Sequence, residues 1–270
     1  DMKERLISGL IGAAVLVAVL LSDTIILNIG VAVISFMALH EMYEAVGLAK
    51  YLPLKILGLA ASFAFTFAYS FDNKILMPVI FFYILALFAL YMKKNSKLEL
   101  QDISKMFFLT IFICFFMVHI VFIRRLYLGK YLIWTVFIGA FLTDTFAYLA
   151  GRFFGRHKLC PRLSPKKTIE GSIGGLIGSC AGMLVYGVIV RFFCNIGVNF
   201  FYMLVLGIAS SAVAQFGDLA ASRIKRQYGI KDYGNIMPGH GGVMDRFDSV
   251  IFTAPAVYLM VSNIPVFFNL

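Results

Sequence analysis

Apolar runs of membrane-spanning length recur along the chain at about 5–22, 25–49, 54–71, 74–92, 104–123, 131–151, 171–193, 198–222 and 247–268. An α-helix needs roughly 20 mostly apolar residues to cross a hydrocarbon core of about 30 Å, so each run is a candidate span. Several breaks between runs carry turn chemistry or charge: Ser22-Asp23, Lys50 to Pro53, Asp72-Asn73 and Lys93 to Lys97. The pattern predicts nine helices that use the whole chain, with no soluble linker, low-complexity tract or internal repeat. Only two polar segments are longer than a turn, 152–170 and 223–246. Met2-Lys3-Glu4-Arg5 and the apolar stretch after it resemble a signal peptide. No small-x-small cleavage site follows, however, so a retained first helix is expected.

Composition sharpens the picture. Of 270 residues 61% are hydrophobic, about 165, and 14% are charged, with a mean hydropathy of +0.88. Soluble domains are about half apolar and a quarter charged, so a soluble globular protein, a secreted disulfide scaffold and a disordered chain are all excluded. Cys114, Cys160, Cys180 and Cys194 show no CxxC spacing and read as isolated thiols. The formal charge of +10 is unevenly spread. With the N-terminus inside, 19 of the 24 Lys and Arg residues fall on the cytoplasmic side and five outside, as the positive-inside rule requires. The expected fold is an all-α polytopic integral membrane protein of about nine transmembrane helices. Its N-terminus would be cytoplasmic, its C-terminus outside, and a polar cavity would open to the cytoplasm. Residues 1–130 would form scaffold helices that could supply lipid access or dimer contacts. Residues 131–270 would form the catalytic part, with 152–170 and 223–246 as cytoplasmic loops.

Ionisable groups inside membrane helices are costly and mark function or a paired partner. Asp144 lies deep in the sixth run, with Tyr148 and Gly151 on its face at i+4 and i+7. It serves either a structural hydrogen bond or a polar cavity. Asp218 aligns with Ser222 and Lys225 at the end of the eighth run, with Arg226 at the edge of that stripe. Asp245 and Asp248 stand three apart at the start of the ninth, where the helix dipole also favours acids. His40, Glu41 and Glu44 cluster at the end of the second run; their spacing is not HExxH, so a metal site is a weaker reading than snorkelling or interhelical hydrogen bonds. Gly171, Gly174, Gly175, Gly178 and Gly182 would let the seventh helix pack closely on a neighbour.

Segment 222–248 combines a basic helix end, a turn-rich connection and Gly239-His240-Gly241-Gly242 before two acids. Its glycines permit close backbone approach and an anion-binding nest, and Lys225, Arg226, Lys231 and Arg246 supply cations for phosphates. Acids among excess cations suggest a divalent metal bridging to a polyphosphate. Attraction of a basic loop to anionic lipid would explain the cations alone.

The segment resembles the signature of the phosphatidate cytidylyltransferase (CDP-diacylglycerol synthase) family: Ser222, Lys225-Arg226, Lys231-Asp232, Gly234, Pro238, His240-Gly241-Gly242 and Asp245-Arg246-Phe247-Asp248. Met237 is a conservative departure. A second stretch is also similar: Asp144, Tyr148, Gly151-Arg152 and Ser164-Pro165-Lys166-Lys167-Thr168-Ile169-Glu170-Gly171. The first 130 residues add hydropathy only. The resemblance implies CMP transfer from CTP to phosphatidate, giving CDP-diacylglycerol and pyrophosphate. It implies Mg²⁺ on Asp218 and Asp245, with Asp248 and Asp144 as lesser candidates. Lys225, Arg226 and Arg246 would grip phosphates, and Lys166 and Lys167 would bind triphosphate or lipid phosphate. Ser222, Lys231, Asp232, His240, Gly241 and Gly242 would complete the substrate site. CTP, phosphatidate and the bilayer are the implied partners, with no nucleic acid; the apolar surface permits a homodimer. A CTP-dependent polyprenol kinase would need similar groups but release CDP. A secondary transporter would place its polar groups near the bilayer midplane, whereas here they gather at one face. The DGxxAR motif of CDP-alcohol phosphotransferases is not matched by Asp218-Leu219-Ala220-Ala221-Ser222-Arg223.

Overall fold

The computed structural model describes residues 2–71, 73–94, 97–236 and 241–269. Among the described residues nine helices follow the apolar runs in order: α1 (Met2–Leu21), α2 (Thr24–Ala45), α3 (Leu52–Phe71), α4 (Asn73–Tyr91), α5 (Leu100–Arg125), α6 (Gly129–Phe154), α7 (Ile169–Cys194), α8 (Phe200–Gln227) and α9 (Met244–Val261). Seven of them, α2 to α8, are long and apolar enough to cross a membrane. The chain is a polytopic helical membrane protein.

Two small antiparallel ribbons were not expected from the sequence. β1 (Lys158–Cys160) pairs with β2 (Ser164–Thr168), and β3 (Ile196–Val198) pairs with β4 (Phe267–Asn269). Strands this short carry too few residues for a period-two pattern to show. The second ribbon also corrects the ninth run, expected over 247–268. α9 stops at Val261, and the Asn263 side chain donates to the Leu259 carbonyl at 2.7 Å. Pro265 disfavours helix at the residue before it, and the chain then extends into β4. At the other extreme, α8 runs five residues past the expected 222, because Arg223 to Gln227 are good helix formers. Gly229, at φ +68°, marks its end.

The chain divides into two units, Asp1–Val121 with Tyr228–Arg246, and Phe122–Gln227 with Phe247–Leu270. In the first, the apolar face of α2 (Leu27, Val31, Leu39, Met42) is fully buried. A hydroxyl knot ties three of its helices together. Thr110 of α5 lies 2.5 Å from the Tyr43 hydroxyl of α2 and 2.8 Å from the Tyr83 hydroxyl of α4, and donates in turn to the Met106 carbonyl. Buried hydroxyls need such partners where no water can supply them.

The second unit is built on the close packing of α7 against α6. A Cβ placed on Gly171 would stand 2.7 Å from the Ala147 carbonyl oxygen, and one on Gly175 2.8 Å from that of Thr143. Added carbons at Gly174, Gly178 and Gly182 would strike Ala150, Phe146 and Leu142. The glycine stripe is therefore a helix-packing surface. Gly217 plays the same part between α8 and α9, where a Cβ would meet the Asp248 carbonyl oxygen at 2.8 Å.

Candidate active site

The second unit contains a cavity of about 290 Å³ lined by residues from α6, β2, α7 and α8. Its wall carries two acids, Asp144 and Asp218, and three cations, Arg152, Lys166 and Lys167. Each is delivered by a local feature of the fold. Asp144 and Arg152 project from α6, two helical turns apart. Lys166 and Lys167 lie on β2, whose last residue, Thr168, caps α7 by accepting the Gly171 N–H at 3.1 Å. The hairpin is tied back by Glu170, which accepts N–H bonds from Arg156 and His157 and meets His157 Nδ1 at 2.6 Å.

Within this wall the acids have defined partners. Lys167 Nζ forms an ion pair with Asp218, and Ser222, one turn along α8, reaches the other oxygen of that carboxylate at 3.5 Å. Asp144 accepts a 2.9 Å hydrogen bond from Ser249 of α9. Ser172 donates to Gln215, whose amide returns bonds to the Ser172 carbonyl at 3.2 Å and to Ser211 at 3.1 Å. Asp248 is buried, takes the Ser249 N–H at 2.8 Å, and lies close enough to Asp218, Lys225 and Asp144 for their charges to act on it. Arg226 donates to the Leu163 carbonyl of the hairpin turn at 3.4 Å. The structure thus brings Asp144, Asp218, Lys166 and Lys167 to one cavity, with Ser222, Asp248 and Lys225 beside them. Ser249, Gln215 and Ser172 had no assigned role in the sequence, because a serine or glutamine within an apolar helix gives no signal of its own partner.

Among the described residues no group of three His, Cys, Asp or Glu side chains is arranged to hold a metal ion. A pair of carboxylates on one cavity suits Mg²⁺, which commonly takes one or two and fills its remaining positions with water and phosphate oxygens.

In the first unit, Asp245 is engaged with the backbone of its own loop. Its Oδ2 accepts the Tyr233 N–H at 2.8 Å and the Gly242 N–H at 3.1 Å. Gly241 sits at φ +86°, a left-handed conformation that favours glycine. Lys231 and Asp232 are exposed in the same connection, and Arg246 is exposed in the first turn of α9. His240, like Met237, Pro238 and Gly239, lies outside the described residues. Glu41, read from the sequence as a source of hydrogen bonds rather than a metal ligand, lies against this loop: it accepts the Val243 and Met244 N–H groups at 2.9 and 2.8 Å.

Comparison with known proteins identifies the family. The model of the cytidylyltransferase family matches residues 3–264. A protein of Staphylococcus saprophyticus named phosphatidate cytidylyltransferase is 32% identical over 97% of this chain and 100% of its own length. One of the same name from Bacillus subtilis is 30% identical over 97% of this chain and 98% of its own. A third, from Staphylococcus haemolyticus, is 45% identical over 49% of this chain and 50% of its own length. The chain belongs to the cytidylyltransferase family.

Proposed function

We infer that this chain is a phosphatidate cytidylyltransferase, which transfers the CMP moiety of CTP to phosphatidate and releases pyrophosphate. Relatives matched along nearly their whole length carry that name. The observation that carries the chemistry is the cavity shared by Asp144, Asp218, Lys166, Lys167 and Arg152. A phosphate oxygen of the lipid attacks the α-phosphorus of CTP. The new P–O bond forms as the α–β bridging P–O bond breaks, and the electron pair leaves with pyrophosphate. A phosphate monoester with a second pKa of about 6 is mostly dianionic at neutral pH, so no strong general base is required. The work is positioning and charge neutralisation, as in phosphoryl transfer generally. Lys166, Lys167 and Arg152 are suited to hold phosphate groups, next to the N-terminus of α7, whose dipole favours anions.

For the cofactor we propose Mg²⁺ on Asp218 and Asp144, with Asp248 adjacent. Bound there, the ion would neutralise charge on the triphosphate. Lys167, paired with Asp218, would be free to turn to a phosphate oxygen when that carboxylate is otherwise engaged. The roles of Asp245, Lys225, Arg226, Ser222, Lys231, Asp232, His240, Gly241, Gly242 and Arg246 rest on the family resemblance and are proposals of the same kind. The uneven distribution of Lys and Arg supports an N-terminus in the cytoplasm and a cavity facing it, and the bacterial sources of the relatives support a bacterial cell membrane.

The test uses purified protein, phosphatidate and CTP labelled in the cytidine, with and without Mg²⁺. Label should enter the lipid with release of pyrophosphate. Label appearing as free CDP would instead indicate a lipid kinase. Full activity in excess chelator would overturn the metal assignment. Asp218→Asn and Asp144→Asn should each lower kcat by about 10² or more; wild-type turnover in both would move the reaction away from this cavity.

A further inference from the structure

Glu41 of α2 carries a carboxylate that the chemistry above leaves unused. It is 3% exposed, and its two oxygens accept the N–H groups of Val243 and Met244 at 2.9 and 2.8 Å, 202 and 203 positions along the chain. These N–H groups lie at the start of α9, where a helix offers donors that have no partner within it. Two glycines of the loop are pressed on the same carboxylate. A Cβ on Gly242 would stand 2.3 Å from Glu41 Oε2, and one on Gly234 2.5 Å from Oε1. Asp245 grips the same turn through the Tyr233 and Gly242 N–H groups. Four backbone donors are thereby held by two carboxylates, one local and one from α2, while the side chains of Tyr233, Val243 and Met244 are buried.

A buried carboxylate is costly unless charge-assisted hydrogen bonds offset its desolvation, and α9 already has Asp245 in its first turn to answer its dipole. The additional acid does what a local cap cannot: it fixes where the turn sits on α2. We propose that Glu41 is a positioning residue for CMP transfer. It holds the Gly241–Met244 turn, and with it Asp245 and Arg246, in the reactive arrangement without itself touching substrate. This rests on the reading of the signature loop as part of the substrate site.

The test is Glu41→Gln, which keeps one carbonyl acceptor and turns an NH₂ group against the second N–H. Hydrogen exchange at the amides of 242–244 should accelerate at least tenfold. Over the same comparison kcat should fall about ten- to hundredfold, the range expected when reacting groups shift by about 1 Å. Exchange elsewhere in α2 and the thermal midpoint should stay near wild type, which a merely structural role would not allow. Glu44→Gln is the control, since Glu44 pairs with Lys55 at 2.5 Å and should change neither readout. If E41Q is not recovered folded, Gly234→Ala crowds the same carboxylate from the loop side and must give the same loss of kcat. Wild-type exchange at 242–244 in E41Q, or faster exchange with wild-type kcat, overturns the proposal. A wild-type protein that makes no CDP-diacylglycerol overturns the functional reading instead, and the exchange measurement still decides whether Glu41 holds the turn.

Discussion

At the residue scale, the same cation chemistry serves two ends in this site, and the Lys167–Asp218 pair shows how they divide. Both side chains are about a quarter exposed, 24% and 29%, and ion pairs with that access to solvent contribute roughly 0–1 kcal/mol to folding. Its worth must then lie in the cavity it lines. Lys167→Met should leave the thermal midpoint within the equivalent of about 1 kcal/mol. It should lower kcat/KM for CTP by about 10², and Lys167→Arg should recover part of that loss. A large fall in stability with unchanged kinetics would make the pair a structural tie. The glycines of the signature loop carry a second lesson. Read from the sequence, Gly241 and Gly242 make room for a nucleotide. Gly241 does adopt a left-handed φ, but the space at Gly242 and Gly234 is filled by the protein's own Glu41. A missing side chain announces a close approach and says nothing of what approaches.

At the element scale, hydropathy locates each helix and misjudges several of its ends. Periodicity and apolar length are properties of a helix body, whereas ends are settled by individual groups: the Thr168 side chain at the start of α7, Gly229 after α8, Pro265 beyond α9. The glycine stripe of α7 was legible as packing because five glycines on one helix have few other uses. Its partner, α6, was not legible, since nothing along the sequence says which neighbour fills a groove. That partner matters for chemistry, as α6 carries Asp144 and α7 follows directly on Lys166 and Lys167. Gly175→Ala puts a methyl group 2.8 Å from the Thr143 carbonyl oxygen, where backbone must move. Overpacking of this kind costs about 1–3 kcal/mol, so the midpoint should fall and activity with it, with both substrates still binding to the folded fraction. Gly12→Ala, with nothing within 4 Å, should be neutral or slightly stabilising, by up to about 1 kcal/mol of helix propensity. Equal effects in a thermal unfolding assay of the two variants would mean that α6 and α7 are not packed through this stripe.

At the scale of the whole molecule, the signature segment made the chemistry readable, since its acids, cations and glycines are close in sequence. Glu41 was not readable in the same way, because its partners lie about 200 positions away. Membrane orientation is the property on which the sequence speaks most directly, through 19 basic residues on one side against five on the other. A single miscounted helix would invert every loop after it, so orientation is best tested at a helix whose ends both carry a native probe. α7 is that helix. At 1.5 Å per residue its 26 residues extend about 39 Å. Cys194 closes it and is exposed, while Cys160, partly exposed, lies on the hairpin that precedes it. Cys114 and Cys180 are buried and should stay silent. In right-side-out membrane vesicles, a membrane-impermeant maleimide should label Cys194 and spare Cys160 until the membrane is permeabilised, and Cys194→Ser should remove the external label. Labelling of Cys160 from outside with Cys194 protected would reverse the orientation and put the Lys166–Lys167 cavity on the wrong face for cytoplasmic CTP. Labelling of both from one side would remove α7 as a membrane span and the nine-helix topology with it.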